Sequence, residues 1–446
     1  MLRKTCTFLG LAILLAAASI QASFAQTESR ALPLSALQTM KPGSIHGKDV
    51  LKALAQAKHT KVTAVTAAVT VGTPGVDTVV NWSDQFYSPG YDSNGNPQSI
   101  WPYTMVGRPP ESGRTTTINA PIVPVTVQFL DANGKVVLTF GPDRNLVRNA
   151  VNSPEFQNAT YTVGSGQYND EMFRTEFWNR ISDGEGEGEA NNWHTLLEPA
   201  VKRGYTMQIP YYIPGTTLPA WGYFINAQGQ PVLGEIDYTT FVNLFYPGVV
   251  VDHTTPIGNA ELRGDITTAD ISTFLFDNVV LFFSPNFNNC CVIGFHGYDF
   301  EPGDARNGNR QRDYVLNYSS WLSPGLFYFG FEDITPWSHE MAETFNDPLV
   351  NNLTPWWLSV DPYTGGGNCQ NDLEVGDVVE VLDSSLPVAS FPTTNMTYHP
   401  QNVALLPWFE FDAHSRAYLG AYSFPDETTL RSLSPGPLLP NCVPAS

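Results

Sequence analysis

The segment PWSHEMAETFNDP, from Pro336 to Pro348, constrains the fold more than any other stretch of the chain. Proline is tolerated in the first turn of a helix and ends a helix that reaches it, so the two prolines predict a helix over residues 336–347. Apolar side chains within the segment indicate that one side of this helix is buried in a domain core: Trp337, Met341, Ala342 and Phe345. Carboxylates on such a helix need partners.

His339 and Glu343 are four residues apart and therefore share one face of the predicted helix. A metal ion can bind between an imidazole nitrogen and a carboxylate oxygen at this spacing, as in the HExxH zinc helix, with Glu in place of the second His. Glu340 projects about 100° further round the helix, where the HExxH glutamate takes a proton from the attacking water. The pattern predicts metal binding by His339 and Glu343 and catalysis by Glu340; the alternative is a solvated helix face.

A catalytic zinc ion has three protein ligands, so a third ligand must come from another segment. The stretch LEVGD offers Glu374 and Asp377, and it follows Cys369, where a disulfide would hold a ligand in place. Four further residues are alternatives for this ligand: Asp347, His296, His399 and His414. The sequence does not choose among them.

The N-terminus has the pattern of an export signal. Arg3 and Lys4 precede the apolar run FLGLAILLAAA, and the small residues Ser23 and Ala25 occupy the positions that a signal peptidase reads. We therefore expect residues 1–25 to be removed and the mature protein to be secreted or periplasmic; an N-terminal anchor is the alternative. No later segment is long and apolar enough to span a membrane, so no membrane partner is expected after cleavage.

Four cysteines remain after the signal, an even number that predicts two disulfides in an oxidising compartment. They are Cys290, Cys291, Cys369 and Cys442. Adjacent cysteines rarely bond to each other, because a disulfide needs a larger Cα separation than one peptide unit gives. We therefore expect Cys290 and Cys291 to bond one each to Cys369 and Cys442. Free buried thiols are the alternative, and the lack of a CxxC pair argues against a cysteine-only zinc site.

The formal net charge of −20 is unevenly distributed. Residues 26–61 carry six basic and two acidic side chains, whereas the rest of the mature chain is acidic. No basic patch suggests a nucleic acid partner. The acidic loop DGEGEGEANN is flexible or a weak calcium site, so Ca²⁺ is a second candidate cofactor beside Zn²⁺. Residues 26–80 are read as a tether or as a pro-segment that covers a cleft.

The body of the chain, residues 81–446, predicts an α+β fold that is rich in strands before residue 270. IVPVTVQFLDANGKVVLTF alternates apolar and polar residues around Asn133-Gly134, which is typical of a hairpin. YNDEMFRTEFWNRI predicts a helix capped by Asp170. The apolar runs around the paired cysteines and in DYVLNYSSW predict strands in the metal-site part, residues 271–446.

Several of these motifs together resemble a known family. SHEMAETFNDPLV, the pair Trp356-Trp357 and LEVGD are similar to the HE(I/M)AE…DP…E(I/V)GD pattern of secreted zincin-like proteins, a pattern shared by the plant EXORDIUM or phosphate-induced proteins and by bacterial secreted proteins. GFHGY and QNVALLPWF resemble further blocks of the family, so the resemblance covers roughly residues 270–425.

The resemblance implies a zincin-like fold, in which a mixed sheet lies over the helix of His339. It implies zinc ligation by His339 and Glu343, a third ligand from Glu374 or Asp377, and a general-base role for Glu340. The chain departs from standard zincins in having Glu343 where the second His would be. The EXORDIUM group is not a set of established peptidases, so the resemblance bears on the fold and the metal site more than on the reaction.

Three functions follow from these patterns. The first is a secreted zinc metallopeptidase that hydrolyses protein or peptide substrates. The second is a non-catalytic extracellular or cell-wall-associated binding protein, with a structural HExxE site and an aromatic surface that includes Trp356, Trp357 and Trp408. The third, a glycoside hydrolase with two catalytic carboxylates, ranks last because no separate carboxylate pair stands out.

Overall fold

The computed structural model describes residues 30–430 apart from 41–42, 45–49, 51–71, 73–74, 93, 183–189, 249–252, 328–329, 360–367, 381–387 and 412–413. The predicted signal peptide, the glutamates of the acidic loop and Cys442 lie outside the described residues. The same is true of most of residues 26–80.

The strands of the described chain are short near both ends and longest in the middle. They are β1 (Ala31–Pro33), β2 (Gly43–Ser44), β3 (Val76–Asp77), β4 (Asn81–Tyr91), β5 (Pro97–Val106), β6 (Thr115–Leu130), β7 (Val136–Phe140), β8 (Ala159–Thr160), β9 (Ser165–Gly166), β10 (His194–Val201), β11 (Tyr205–Ile209), β12 (Trp221–Ile225), β13 (Pro231–Asp237), β14 (Ile271–Asp277), β15 (Val279–Phe282), β16 (Cys290–Glu301), β17 (Gln311–Trp321), β18 (Leu353–Ser359), β19 (Asn368–Asp372), β20 (Phe391–Pro392), β21 (Thr397–Tyr398), β22 (Val403–Ala404) and β23 (Ser423–Phe424).

The helices are fewer and shorter. They are α1 (Leu34–Leu37), α2 (Arg144–Val151), α3 (Tyr168–Glu176), α4 (Trp178–Ile181), α5 (Tyr238–Phe245), α6 (Pro256–Arg263), α7 (Thr335–Asn346), α8 (Asp377–Glu380) and α9 (Leu406–Phe409).

A mixed sheet of 13 described strands organises the molecule. Its main path runs β1-β12-β13-β15-β16-β17-β14-β6-β10, with β2, β3, β7 and β11 paired to strands of that path. The pair β14–β17 is parallel, whereas β15–β16 and β16–β17 are antiparallel. The predicted combination of helices with a large mixed sheet is thereby confirmed. Strands from both predicted parts of the body, before and after residue 270, belong to this one sheet.

Strand β16 divides its side chains between the two faces of the sheet, because successive residues of a strand point to opposite sides. Phe295 contacts the rings of Phe241 in helix α5 and Tyr318 in β17, with centroids 6.2 and 5.2 Å apart. Gly294 and His296 lie on the other face, against helix α7. The strand therefore carries apolar packing on one face and polar groups on the other.

Helix α7 is the predicted helix, beginning one residue earlier than expected. Pro336 occupies its first turn, and the backbone N–H of Asp347 donates to the carbonyl of Glu343 at its end. All 12 of its residues are buried, so the expectation of burial on one side only was wrong. The helix packs against β16, β17, β5 and α3, which cover its whole circumference.

Two other local predictions have different outcomes. The hairpin is confirmed: β6 and β7 pair antiparallel, and Gly134 in their turn has a φ of 79°. The predicted helix over residues 168–181 forms as α3 and α4, but Asp170 does not cap it. Asp170 lies inside α3, where its carboxylate accepts from the backbone N–H of Thr195 at 2.7 Å and contacts His194 Nδ1 at 2.8 Å.

The predicted disulfide pairing is wrong for Cys290 and Cys291. The two residues are bonded to each other, with Cα atoms 3.0 Å apart. The expectation that one peptide unit gives too small a Cα separation for a disulfide therefore does not hold for this pair. The side chain of Cys369 and the whole of Cys442 lie outside the described residues.

The described parts of the basic N-terminal segment pack against the sheet. The guanidinium of Arg30 donates to the carbonyls of Tyr211 and Trp221, and it stacks 3.6 Å from the Tyr211 ring centroid. Strand β1 extends the sheet beside β12, and β2 pairs with β16. The segment therefore contributes strands to the same sheet that carries His296. No helix among the described residues is long and apolar enough to cross a bilayer.

Candidate metal centre

Three segments converge on one buried cluster of imidazoles and carboxylates. Helix α7, strand β16 and the LEVGD segment that leads into α8 provide its members: His339, Glu340, Glu343, His296, Glu374 and Asp377. All six side chains are buried, with 7% or less of each residue exposed. The four residues that the sequence predicted as ligands and the predicted base thus lie in one place, together with one of the alternative ligands.

The helix supplies the pair that its spacing predicted. His339 Nε2 lies 3.1 Å from Glu343 Oε1, one turn along α7. Asp377 Oδ1, from the LEVGD segment, lies 3.5 Å from the same imidazole nitrogen. The imidazole of His339 therefore faces two carboxylates, one from its own helix and one from the adjacent segment.

His296 enters the cluster from β16 and meets three carboxylates. Its Nδ1 lies 3.2 Å from Glu343 Oε2 and 3.7 Å from both Glu340 Oε2 and Glu374 Oε2. Sequence reasoning left His296 among several alternatives. A usable signal was its place in GFHGY, where a lone imidazole sits in an apolar strand that can bury both faces.

Two glycines let these groups approach each other, and the sequence analysis missed both. The backbone N–H of Gly376 donates to Glu343 Oε1 at 3.1 Å, and a Cβ at this position would lie 2.6 Å from the His339 ring. A Cβ at Gly294 would lie 2.5 Å from Glu340 Oε1. Any larger residue would displace the imidazole or the carboxylate, because real Cβ atoms do not approach other atoms so closely.

Within the part of the chain that the structure describes, several polar atoms of the cluster are buried without a hydrogen-bond partner. They are His339 Nε2, both ring nitrogens of His296 and both carboxylate oxygens of Glu340. Buried polar atoms normally have partners. The nitrogen–oxygen distances of 3.1 to 3.7 Å are close to the roughly 3.3 Å that separates two ligands of a tetrahedral zinc ion with bonds of about 2.0 Å. The residues therefore fit a metal ion.

The electrostatics of His339 and Glu343 favour opposite charges. Burial alone lowers the pKa of His339, but the charges of Glu343 and Glu340 outweigh it and raise the pKa well above its ordinary value. Burial acts to raise the pKa of Glu343, and the neighbouring imidazoles, His339 first, lower it to about 2. Metal ligands must lose such protons before they bind, so a divalent cation would replace the protons on these imidazoles.

The other carboxyls of the cluster hold protons more tightly. Burial raises the pKa of Glu340 to about 7, against the opposing charge of His339. Burial and then the charge of Glu343 raise the pKa of Glu374 well above its ordinary value. For His296, burial lowers the pKa, and the charge of Glu374 with its neighbours raises it well above the ordinary value. A carboxyl with a pKa near 7 suits a general base or acid at neutral pH.

The remaining candidate ligands lie elsewhere. The carboxylate of Asp347 accepts from the backbone N–H groups of Asn351 and Asn352 at 2.9 and 3.0 Å, so it closes the turn after α7. His399 belongs to a separate group with Glu332 and Asp333. His414 belongs to none of the potential metal-binding groups formed by the described residues.

The expected aromatic surface does not form from the predicted tryptophans. Trp357 and Trp408 are buried and pack edge to face, with ring centroids 5.9 Å apart. Trp356 is half-buried, and its indole N–H donates to the carbonyl of Asp92. The physical reason is that these rings fill the core between β18 and α9.

The described residues thus contain acidic and histidine groups that could hold a metal ion, and the largest concentration of them surrounds Glu343. Comparisons of the chain with protein-family models, with curated protein sequences and with solved structures find no match.

Proposed function

We propose that this chain is a secreted zinc-dependent peptidase with a zincin-like arrangement of helix and sheet. The observation that carries the proposal is the geometry around α7, where unpartnered atoms of His339 and Glu340 and the carboxylate of Glu343 converge in a buried cluster. His339, Glu343 and Asp377 would hold the ion, and Glu374 lies across Glu343 from them.

A zinc ion in this cluster would supply Lewis acidity, polarising a carbonyl and lowering the pKa of water. Glu340 has the position of the proton-transfer group. It neighbours His339 along the helix, and its carboxylate rests on Gly294. In the proposed reaction Glu340 takes the proton of the attacking water and returns it to the leaving amine.

The N-terminal segment fits the proposal as a pro-segment. Strand β2 runs parallel to β16, with Gly43 opposite Val292 and Ser44 opposite Gly294. It therefore occupies the pairing position beside Gly294, the β16 residue on which the Glu340 carboxylate rests. An extended peptide commonly binds a protease or adaptor by adding a strand at such a position. We infer that β2 occupies the path of a peptide substrate and that removal of residues 26–61 opens it.

Hydrolysis of a fluorescent casein by the purified protein, freed of residues 26–61 by a protease site inserted after Lys61, tests the proposal. We expect wild type to be active and Glu340→Gln to lose activity by about 10²- to 10⁴-fold, the usual contribution of a general base, while it keeps its zinc. Glu332→Gln, which changes the same residue type outside the cluster, is the matched control and retains activity. A zinc-loaded, cleaved wild type without hydrolytic activity would contradict the proposal.

A second candidate is a non-catalytic extracellular or cell-wall-associated protein with a structural metal site. The observation that favours it is burial: His339, Glu343 and Glu374 are each only 1% exposed, and structural zinc sites are closed to water. The two candidates differ after cleavage at Lys61. A structural site stays inaccessible to a small chelator such as dipicolinate, whereas the peptidase site becomes accessible to it.

A further inference from the structure

The carboxylate of Glu343 faces a different histidine with each of its oxygens. Oε1 lies 3.1 Å from His339 Nε2, and Oε2 lies 3.2 Å from His296 Nδ1. A carboxylate can bind one metal ion through one oxygen or both, or bridge two ions with one oxygen on each. Here the two oxygens face imidazoles from two different elements, helix α7 and strand β16.

Each of these pairs has its own additional carboxylate. On the side of His339, Asp377 Oδ1 lies 3.5 Å from Nε2. On the side of His296, Glu374 Oε2 lies 3.7 Å from Nδ1, and the ligand atoms of His296, Glu343 and Glu374 all lie within 4.8 Å of one another. The LEVGD segment thus places one carboxylate on each side of Glu343.

We infer that the cluster binds two divalent metal ions, with Glu343 as the bridging carboxylate. The first position is that of the proposed zinc, at His339, Glu343 and Asp377. The second position, at His296, Glu343 and Glu374, is a site of one imidazole and two carboxylates that suits zinc, cobalt or manganese. Bridged ions of this kind lie about 3.5–4 Å apart.

The cluster has enough negative charge to hold two ions. Its four carboxylates, Glu340, Glu343, Glu374 and Asp377, are all buried. With neutral imidazoles and all four carboxylates ionised, two divalent cations bring the net charge to zero. Uncompensated buried charge is strongly unfavourable. Both ring nitrogens of His296 lack a hydrogen bond, so this imidazole has a free lone pair to offer.

The second ion deepens the proposed peptidase function and rests on it. In two-metal hydrolases one ion holds the attacking oxygen and the other holds the oxygen on which charge develops. His296 is then a ligand, and Glu340, whose Oε2 is 3.7 Å from His296 Nδ1, lies between the two positions as the proton acceptor.

Zinc stoichiometry of the full chain tests this inference. The protein is unfolded in urea with a chelator, refolded with zinc chloride, desalted and analysed for elements as wild type, His296→Ala and His194→Ala. His194 pairs with Asp170 outside the cluster and is the matched control. We expect about two zinc ions per chain in wild type and in His194→Ala, and one in His296→Ala.

The outcomes separate the second ion from the proposed function. One zinc ion in wild type overturns the two-ion inference, whether or not His296→Ala retains it, and leaves the proposed peptidase site standing. No zinc in wild type overturns both. If His296→Ala does not fold, titration of wild type with Co²⁺ decides: the paramagnetic signal of the first ion should weaken as the second binds, and saturation at one equivalent overturns the inference.

Discussion

Two histidine–carboxylate clusters lie along the same part of the chain and differ in how their polar atoms are satisfied. In the first, which precedes helix α7, Asp333 accepts from the backbone N–H of His399 at 2.9 Å and contacts His399 Nδ1 at 2.7 Å. In the second, around Glu343, the imidazole and carboxylate atoms lie 3.1 to 3.7 Å apart, and among the described residues His296 and His339 Nε2 have no hydrogen-bond partner.

The difference shows how to separate a structural cluster from a ligand cluster of the same composition. The carboxylate of Asp333 accepts from donors, whereas the ring nitrogens of His296, His339 Nε2 and the carboxylate oxygens of Glu340 have no hydrogen-bond partner among the described residues. The first cluster is also partly exposed, with 21% of the His399 side chain accessible, so water can form hydrogen bonds with its remaining polar atoms. We therefore expect metal to distinguish the two clusters, as the following predictions specify.

The largest effect should come from removing one ligand. Structural zinc sites bind the ion with a free energy of about 10–16 kcal/mol. The loss of one of three protein ligands in His339→Ala should therefore lower the zinc affinity of the first position by about a thousandfold or more. His399→Ala makes the same change in the first cluster and should leave the affinity unaltered. Competition with a chromophoric chelator measures both. Equal losses in the two variants would place the metal outside the Glu343 cluster.

Metal removal should have the next largest effect. An ion held at a thousand times its dissociation constant stabilises the folded state by about 4 kcal/mol. We expect the free energy of unfolding of wild type in urea to fall by about that amount after treatment with a chelator. His339→Ala, which lacks the ion of the first position, should lose less stability after the same treatment. A chelator effect of equal size in this variant would break the link between the Glu343 cluster and stability.

A smaller effect is expected from Gly376→Ala. The new Cβ would lie 2.6 Å from the His339 ring, and overpacking of this kind destabilises by about 1–3 kcal/mol. Zinc affinity should also fall, by about 10- to 100-fold, because the residue positions a ligand. Gly248→Ala is the control, since no atom lies within 4 Å of its Cβ position. Calorimetry of metal binding and thermal unfolding measures both changes.

The smallest effect concerns pH and the first cluster. The hydrogen bond to Asp333 raises the pKa of His399 above its ordinary value, burial opposes this, and the charges of Asp333 and Glu332 add to it. The stabilisation is complete below the ordinary pKa of about 6.5 and is lost as pH rises through the folded pKa. Between pH 6 and pH 9 the free energy of unfolding of wild type should fall further than that of His399→Gln, by less than about 1 kcal/mol. Identical pH profiles in urea unfolding would contradict this.

The helix and its ligand pair could be predicted from sequence because their signals are local. Pro336 and Pro348 mark the ends of α7, and the spacing of His339 and Glu343 fixes their common face. The hairpin at Gly134 is local in the same sense. Such features depend on the backbone chemistry of a few neighbouring residues, and the local sequence specifies them.

The rest of the site depends on how distant segments approach each other. His296 belongs to the cluster because β16 passes under α7, and nothing in GFHGY specifies that crossing. Gly376 matters because it packs on the His339 ring, a contact between residues 37 positions apart in the sequence. The complete burial of α7 has the same origin, since β16 and the LEVGD segment cover the side that carries His339, Glu340 and Glu343.

The position of Arg30 has a consequence for the order in which the chain can fold. Its buried guanidinium bonds to the carbonyl of Trp221, 191 residues later, and β2 requires a strand that comes later still. The segment that contains Arg30 and β2 therefore lacks these partners until about half of the chain or more has been synthesised. Contacts of such high sequence separation slow folding, so the chain as a whole, and not its N-terminal part, is the unit that must fold.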